Sequence, residues 1–325
     1  MVPFDPQKDL PDLTGRVVLI TGATSGLGYP VALSLLRKGA KVYLAARNES
    51  KAVATIERLE RDGLGPGNGK PIWHKLVLDN PKDAKQSAES FLKIEDRLDI
   101  LVNNAALLAK EYELGPIGVQ DMVTVNYISP FIFTNTLLHL LKKTALLPDS
   151  DVRIVNVASH AHTFISDVKF KEKADFNGPT ISESYLGQMK RYSLSKLMNV
   201  LWTRELSKRL KASTEDGGSR IITLSLHPGA VASDGAYNGA AKVLFPFNYL
   251  MKYLITLTFR TPENAAGTVL IAAASPVVRS ERETYDAGYL MPIGKIGKVS
   301  KTASNEDLQK DLWSLTEQIL SSEGI

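Results

Sequence analysis

The sequence predicts an α/β fold, a doubly wound parallel sheet with helices on both faces. Three observations lead there. Short β-branched apolar runs alternate with helical stretches along the whole chain. A glycine-rich turn joins the first run to the first helix. No linker or composition break divides the chain, so a single domain is expected over residues 14–321, between a polar leader (1–13) and a tail (322–325).

Taken in order, RVVLITG (16–22) is a buried strand, and ATSGLGYPVALSLLRKGA a turn and helix closed by Gly39. KVYLAAR (41–47) is a second strand and NESKAVATIERLERDG a polar-faced helix. Gly63 to Pro71, with four glycines and two prolines, reads as a surface loop. Further strands are expected at 72–79, 99–105, 152–159 and 220–229, with a shorter candidate at 285–291. Helices are expected at 118–145, 190–212, 262–275 and 305–321. The remaining segments, 160–190 and 234–260, read as insertions that enlarge a substrate-loop region.

Composition narrows the function. The 325 residues are 44% hydrophobic and 23% charged, with a net charge of +4, a mild and dispersed excess that does not imply nucleic acid. Without cysteine there are no disulfides, thiolate nucleophiles or cysteine zinc sites. The start, MVPFDPQKDLPDL, lacks an apolar h-region, and a cytoplasmic protein is expected. The most apolar stretch, 243–259, is broken by Pro246 and Lys252, so no transmembrane segment is expected. A lid or pocket wall is the better reading, with contact to a lipid surface left open.

TGATSGLG (21–28) sets Gly22, Gly26 and Gly28 between a strand and a helix. Glycines there allow a tight turn and let a pyrophosphate approach amides at the positive helix end. The second strand ends in Ala45, Ala46 and Arg47, with no acid to hold a ribose 2′-hydroxyl. A guanidinium can grip a 2′-phosphate, so NADP(H) is the expected cofactor.

Tyr192 and Lys196 in YSLSK are four residues apart and share a helix face. An ammonium beside a phenol favours the phenolate and would lower its pKa. Alone, the pair is ordinary helix surface.

In context the chain resembles the short-chain dehydrogenase/reductase family, with its Rossmann-type fold. The matching elements, in order, are TGATSGLG (21–28), LD (78–79), NNAA (103–106), Asn126, Ser159, YSLSK (192–196) and HPGAVAS (227–233). The pattern is most similar to the retinol-dehydrogenase-like branch, through AARN after the second strand, the long segment before Tyr192 and the helix DLQKDLWSLTEQIL.

The resemblance implies roles. Tyr192 is the general acid in carbonyl reduction and the base in oxidation; Lys196 lowers its pKa and bonds the nicotinamide ribose. Ser159 orients the substrate carbonyl, and Asn126 holds a water linking Lys196 to solvent. Gly22, Thr24, Ser25, Gly26, Leu27 and Gly28 meet the pyrophosphate, Asp79 the adenine, and Asn103 with Ala105 the adenosine ribose. Pro228, Gly229, Val231 and Ser233 lie beside the nicotinamide. Read from residues alone, Asp79 is equally a strand-end turn residue and Asn126 a helix kink. A homodimer through the helices bearing Asn126 and Tyr192 is a further expectation.

Ala106 stands where the family usually has glycine, and Ser233 where it has threonine. The interval from Ser159 to Tyr192 is long, so 160–190 is expected to form a loop over the reacting centre. His160 and His162 lack further ligands at metal spacing and read as pocket wall or surface, and no metal is expected. His227 is expected to pack beside the cofactor, and Lys169, Lys171 and Lys173 to form a solvated edge. Phe164, Tyr237, Phe245, Phe247 and Tyr249 are equally core or substrate contacts.

The reading is therefore an NADP(H)-dependent oxidoreductase acting on a lipophilic ketone or aldehyde and its alcohol, for instance a retinoid, steroid or intermediate of secondary metabolism. Two rivals stay open here: a cofactor-binding regulator without turnover, and an isomerase or cyclase using the same site.

Overall fold

The computed structural model describes residues 4–64, 67–108, 110–178, 184–213, 215–232, 237, 249 and 258–325. Most of the expected 234–260 insertion therefore lies outside the described residues, as does Ser233. Eight strands form one sheet: β1 (Val17–Thr21), β2 (Lys41–Ala46), β3 (Pro71–Lys75), β4 (Ile100–Asn103), β5 (Arg153–Val157), β6 (Ile222–Leu226), β7 (Tyr289–Met291) and β8 (Lys295–Ile296). Their spatial order is β3-β2-β1-β4-β5-β6-β7-β8. All neighbours pair in parallel except β7 and β8. Winding runs outward in both directions from β1, so the loops after β1 and β4 diverge and leave a crevice at the carboxyl ends of the strands.

Alternation across the pleat divides the core in two. Val17 and Leu19 of β1 face one apolar cluster, Val18 and Ile20 the other. On the second face lie helices α1 (Gly28–Arg37) and α2 (Glu49–Arg61), joined later by α6 (Pro262–Ala274). The first face is covered by α3 (Pro81–Phe91), α4 (Ser129–Ala145), α5 (Tyr185–Lys211) and α7 (Glu306–Ser322). There Phe131 lies 4.8 Å from Trp313 and 5.9 Å from Trp202, ring centre to ring centre, which pins α7 onto α4 and α5. No described helix is long and apolar enough to cross a membrane.

The amino ends of the strands are closed by ions. Buried Asp99 accepts from the Val17 amide (2.9 Å), Arg97 Nε (2.7 Å) and Arg16 Nη1 (3.2 Å). Fully buried Arg153 donates to the Ala272 (3.0 Å) and Ser275 (2.9 Å) carbonyls, capping α6. Chemistry is thus left to the carboxyl ends.

Several expected elements change length. The helix expected over 118–145 is interrupted by a π-helical turn, Thr124–Ile128, before α4. Pro130 stands four residues after Asn126 and has no N–H to give its carbonyl, so the regular ladder fails there. The strand expected at 72–79 ends at Lys75, and the last candidate strand shrinks to Tyr289–Met291. Helix α3, capped by Asn80 with Pro81 in its first turn, was not among the expected elements.

Much of the 160–190 segment packs down instead of arching over the site. Phe170 and Phe176 are buried in the core, and Gln120 bonds Asn177 and the Phe176 carbonyl at 2.8 and 3.0 Å. Lys171 and Lys173 pair with Asp311 (2.5 Å) and Glu323 (2.9 Å), so they tie this segment to the C-terminal helix. Residues 179–183 lie outside the described set.

Because Phe131 joins three aromatic neighbours in a closed core, Phe131→Ala should lower unfolding free energy by about 3–5 kcal/mol in urea titration.

Candidate active site

The cradle begins at the end of β1. Gly22 and Gly26 have φ of +67° and +52°, conformations that side chains resist. A Cβ on Gly22 would sit 2.9 Å from Ala105 Cα, and one on Gly28 would sit 2.5 Å from the Gly22 carbonyl oxygen. Thr21 Oγ1 accepts from the Asn104 and Ala105 amides, both at 2.9 Å, which binds the two loops together. Helix α1 starts here with no side-chain cap, so its first amides are open to an anion. Thr24, Ser25 and Leu27 are partly exposed on this turn. Glycine-sized space beside uncapped amides fits a pyrophosphate.

Arg47 and Asp79, assigned separately from sequence, meet across the ends of β2 and β3 at 2.7 Å. With side chains 72% and 59% exposed, the pair is loosely held, and Arg47 can exchange its carboxylate for another anion. The Asn103 side-chain amide turns inward, donating to Thr134 Oγ1 (3.0 Å) and Asn156 Oδ1 (2.9 Å). Ala106 has no left-handed backbone and accommodates the missing glycine without strain.

At the end of β5, Ser159 starts a 3-10 turn (His160–Phe164), its Oγ accepting from the Ala161 amide at 3.2 Å. Tyr192, on α5, stands close enough to Ser159 for that side chain to act on its phenol. One turn on, Lys196 Nζ donates to the Val157 carbonyl at 2.8 Å and lies 5.6 Å from the Tyr192 ring centre. Serine, phenol and ammonium are thus gathered from two elements. Their electrostatics differ from the simple expectation. Burial pushes the Tyr192 phenol up, and the neighbouring Ser159 side chain offsets part of this. The same burial pushes Lys196 down to about 7, by disfavouring its charged form. Desolvation, more than the lysine charge, dominates the pair.

Asn126 sits inside the π turn. Its Oδ1 accepts from the Leu107 amide (2.7 Å), and its Nδ2 donates to the Leu107 carbonyl (2.9 Å) and Ser195 Oγ (3.0 Å). Its own carbonyl, unserved by Pro130, accepts from Asn199 Nδ2 at 2.8 Å. Its side chain therefore serves the protein, and a water would find a place at the carbonyl's second lone pair. Ser195 and Asn199 were not singled out in sequence; their i, i+4 spacing about Lys196 was the available signal.

On the far side, Pro228 is buried, Gly229 has φ +92°, and Val231 pairs with Arg260 in an isolated bridge. His227 stacks on Tyr289 at 5.7 Å and 24°, and burial lowers its pKa to about 4. His162 packs edge-on against Tyr289 at 4.7 Å. Tyr289 is buried, and its hydroxyl finds no partner among the described residues. Neither His162 nor Tyr289 was marked as functional from sequence.

A family profile described as short chain dehydrogenase matches residues 16–167. A short-chain dehydrogenase/reductase of Armillaria gallica is 38% identical over 97% of this chain and 95% of its own. The chain belongs to the short-chain dehydrogenase/reductase family. Human retinol dehydrogenase 11 is 31% identical, covering 95% of this chain and 86% of that protein. Among solved structures, an uncharacterised Mycobacterium paratuberculosis protein aligns over 97% of both chains with 27% identity and a TM-score of 0.69. The shared family accounts for the sheet order.

The overlap a Gly28 side chain would create gives a direct check on the cradle. Gly28→Ala should weaken binding of a reduced nicotinamide dinucleotide, read by fluorescence titration, at least about tenfold while secondary structure by circular dichroism is kept.

Proposed function

We propose that this chain is an NADP(H)-dependent oxidoreductase that interconverts a lipophilic ketone or aldehyde and its alcohol, with Tyr192 as general acid and base. The observation that carries this reading is the gathering of Ser159, Tyr192 and Lys196, the last one helical turn from the phenol and anchored on the Val157 carbonyl, at the strand ends beside the Gly22–Ala105 cradle. When bound, a reduced nicotinamide supplies the hydride. The residues do the rest. As negative charge grows on the carbonyl oxygen, Tyr192 Oη gives it a proton and Ser159 Oγ a second hydrogen bond. A phenol kept protonated by burial is in the correct form for reduction. In the reverse direction Tyr192 must accept the proton, and the charged fraction of Lys196 stabilises the phenolate.

The cofactor would lie with its pyrophosphate on residues 22–28 and its nicotinamide beside Pro228 and Gly229. Arg47, at the end of β2 with no acid beside it on that strand, would hold the 2′-phosphate, and Asp79 would face the adenine. A lipophilic substrate is supported by similarity to a protein named for retinol, an apolar alcohol. Exposed Phe164 beside His160 adds an apolar rim near Ser159.

Two outcomes follow. Against a panel of lipophilic ketones and aldehydes, NADPH oxidation by Tyr192→Phe should fall by roughly 10²- to 10⁴-fold; equal rates would remove Tyr192 as the acid. Wild type should bind NADPH more tightly than NADH, and Arg47→Ala should weaken NADPH roughly ten- to a hundredfold while leaving NADH nearly unchanged. Equal weakening of both would place the 2′-phosphate elsewhere.

A further inference from the structure

His162 is fully buried, yet both its ring nitrogens are engaged. Nδ1 lies 2.8 Å from the Ser159 carbonyl, and Nε2 lies 3.3 Å from the Ser300 amide nitrogen. A carbonyl can only accept and an amide can only donate. The neutral ring must therefore carry its proton on Nδ1 and accept at Nε2.

The Ser159 carbonyl also receives the His162 backbone amide at 3.2 Å. One residue thus clamps that carbonyl twice, through main chain and side chain. With the chain before Ser159 anchored by β5, holding the following peptide plane restrains the Ser159 ψ, and with it where the Cα–Cβ bond and Oγ stand relative to Tyr192. The ring is braced by Tyr289 of β7 on its edge and by Ser300, in the segment that leads into α7.

We propose that His162 is a positioning residue for Ser159, locked in the Nδ1–H tautomer by the Ser300 amide, so that the segment before α7 helps to aim the serine hydroxyl. Its bearing on catalysis rests on the assignment of Ser159 and Tyr192 above, whereas the tautomer does not. The alternative is that the ring only fills core space. Two substitutions separate these. In His162→Asn, the side-chain amide nitrogen can take the place of Nδ1 and keep the bond to Ser159, losing the Ser300 link. In His162→Gln, the amide reaches the Nε2 position, keeping Ser300 and losing Ser159. Both remove the ring from Tyr289.

With a carbonyl that wild type reduces, kcat of His162→Asn should exceed that of His162→Gln by about tenfold, with KM for NADPH alike in both. A space-filling ring predicts equal kcat values, and equal or reversed values overturn the proposal. Independently of turnover, ¹⁵N chemical shifts of the wild-type ring at pH 7 should show Nδ1–H; an Nε2–H ring overturns the lock. If no carbonyl is reduced, or neither variant folds, the ring shifts alone decide, so failure of the enzymatic reading and failure of the tautomer lock are told apart.

Discussion

Lys196 is a cation-bearing side chain that the fold has almost wholly removed from water, its nitrogen donating to the Val157 carbonyl. Holding such a group in place is costly, because desolvation disfavours its charged form. The rest of the site depends on that constraint. The carbonyl comes from the end of β5, two residues before Ser159, so strand and helix cannot slide without breaking the contact. The sheet supplies the fixed strand end, and the aromatic cluster of Phe131, Trp202 and Trp313 holds α5 against it. Packing at some distance from the crevice is thereby converted into registry between a serine and a phenol.

The architecture was legible because the β-branched runs are long and the turn TGATSGLG is chemically explicit. The parallel order, the crevice and the cradle follow from alternation and glycine placement. Features that rest on tertiary contact were hidden. Helix α3 is polar and has few large apolar side chains, so its buried face of Ala84, Ala88 and Phe91 stands out weakly; its Asn-Pro start was the better clue. The inward turn of Asn103 is decided by Thr134 and Asn156, which lie 31 and 53 residues away.

Electrostatics were the least legible part. Residue spacing shows that Tyr192 and Lys196 meet but not how dry their surroundings are, and dryness shifts both groups toward their neutral forms. Arg47 and Asp79 likewise stand 32 residues apart, and nothing local announces that they pair. His162 shows only a His-x-His pattern in sequence; the Ser300 contact, 138 residues distant, makes it more than a wall.

The π turn depends on a second helix. Pro130 deprives the Asn126 carbonyl of its helical donor, and Asn199 supplies the missing N–H from another helix. A backbone defect in one segment is thus repaired by a side chain 73 residues later. The two positions are physically coupled: an N–H at 130 could serve the Asn126 carbonyl along the helix, whereas loss of the Asn199 amide would take away the donor it has. Helix α5, which carries Tyr192 and Lys196, is thereby held to the π turn by a proline's missing hydrogen.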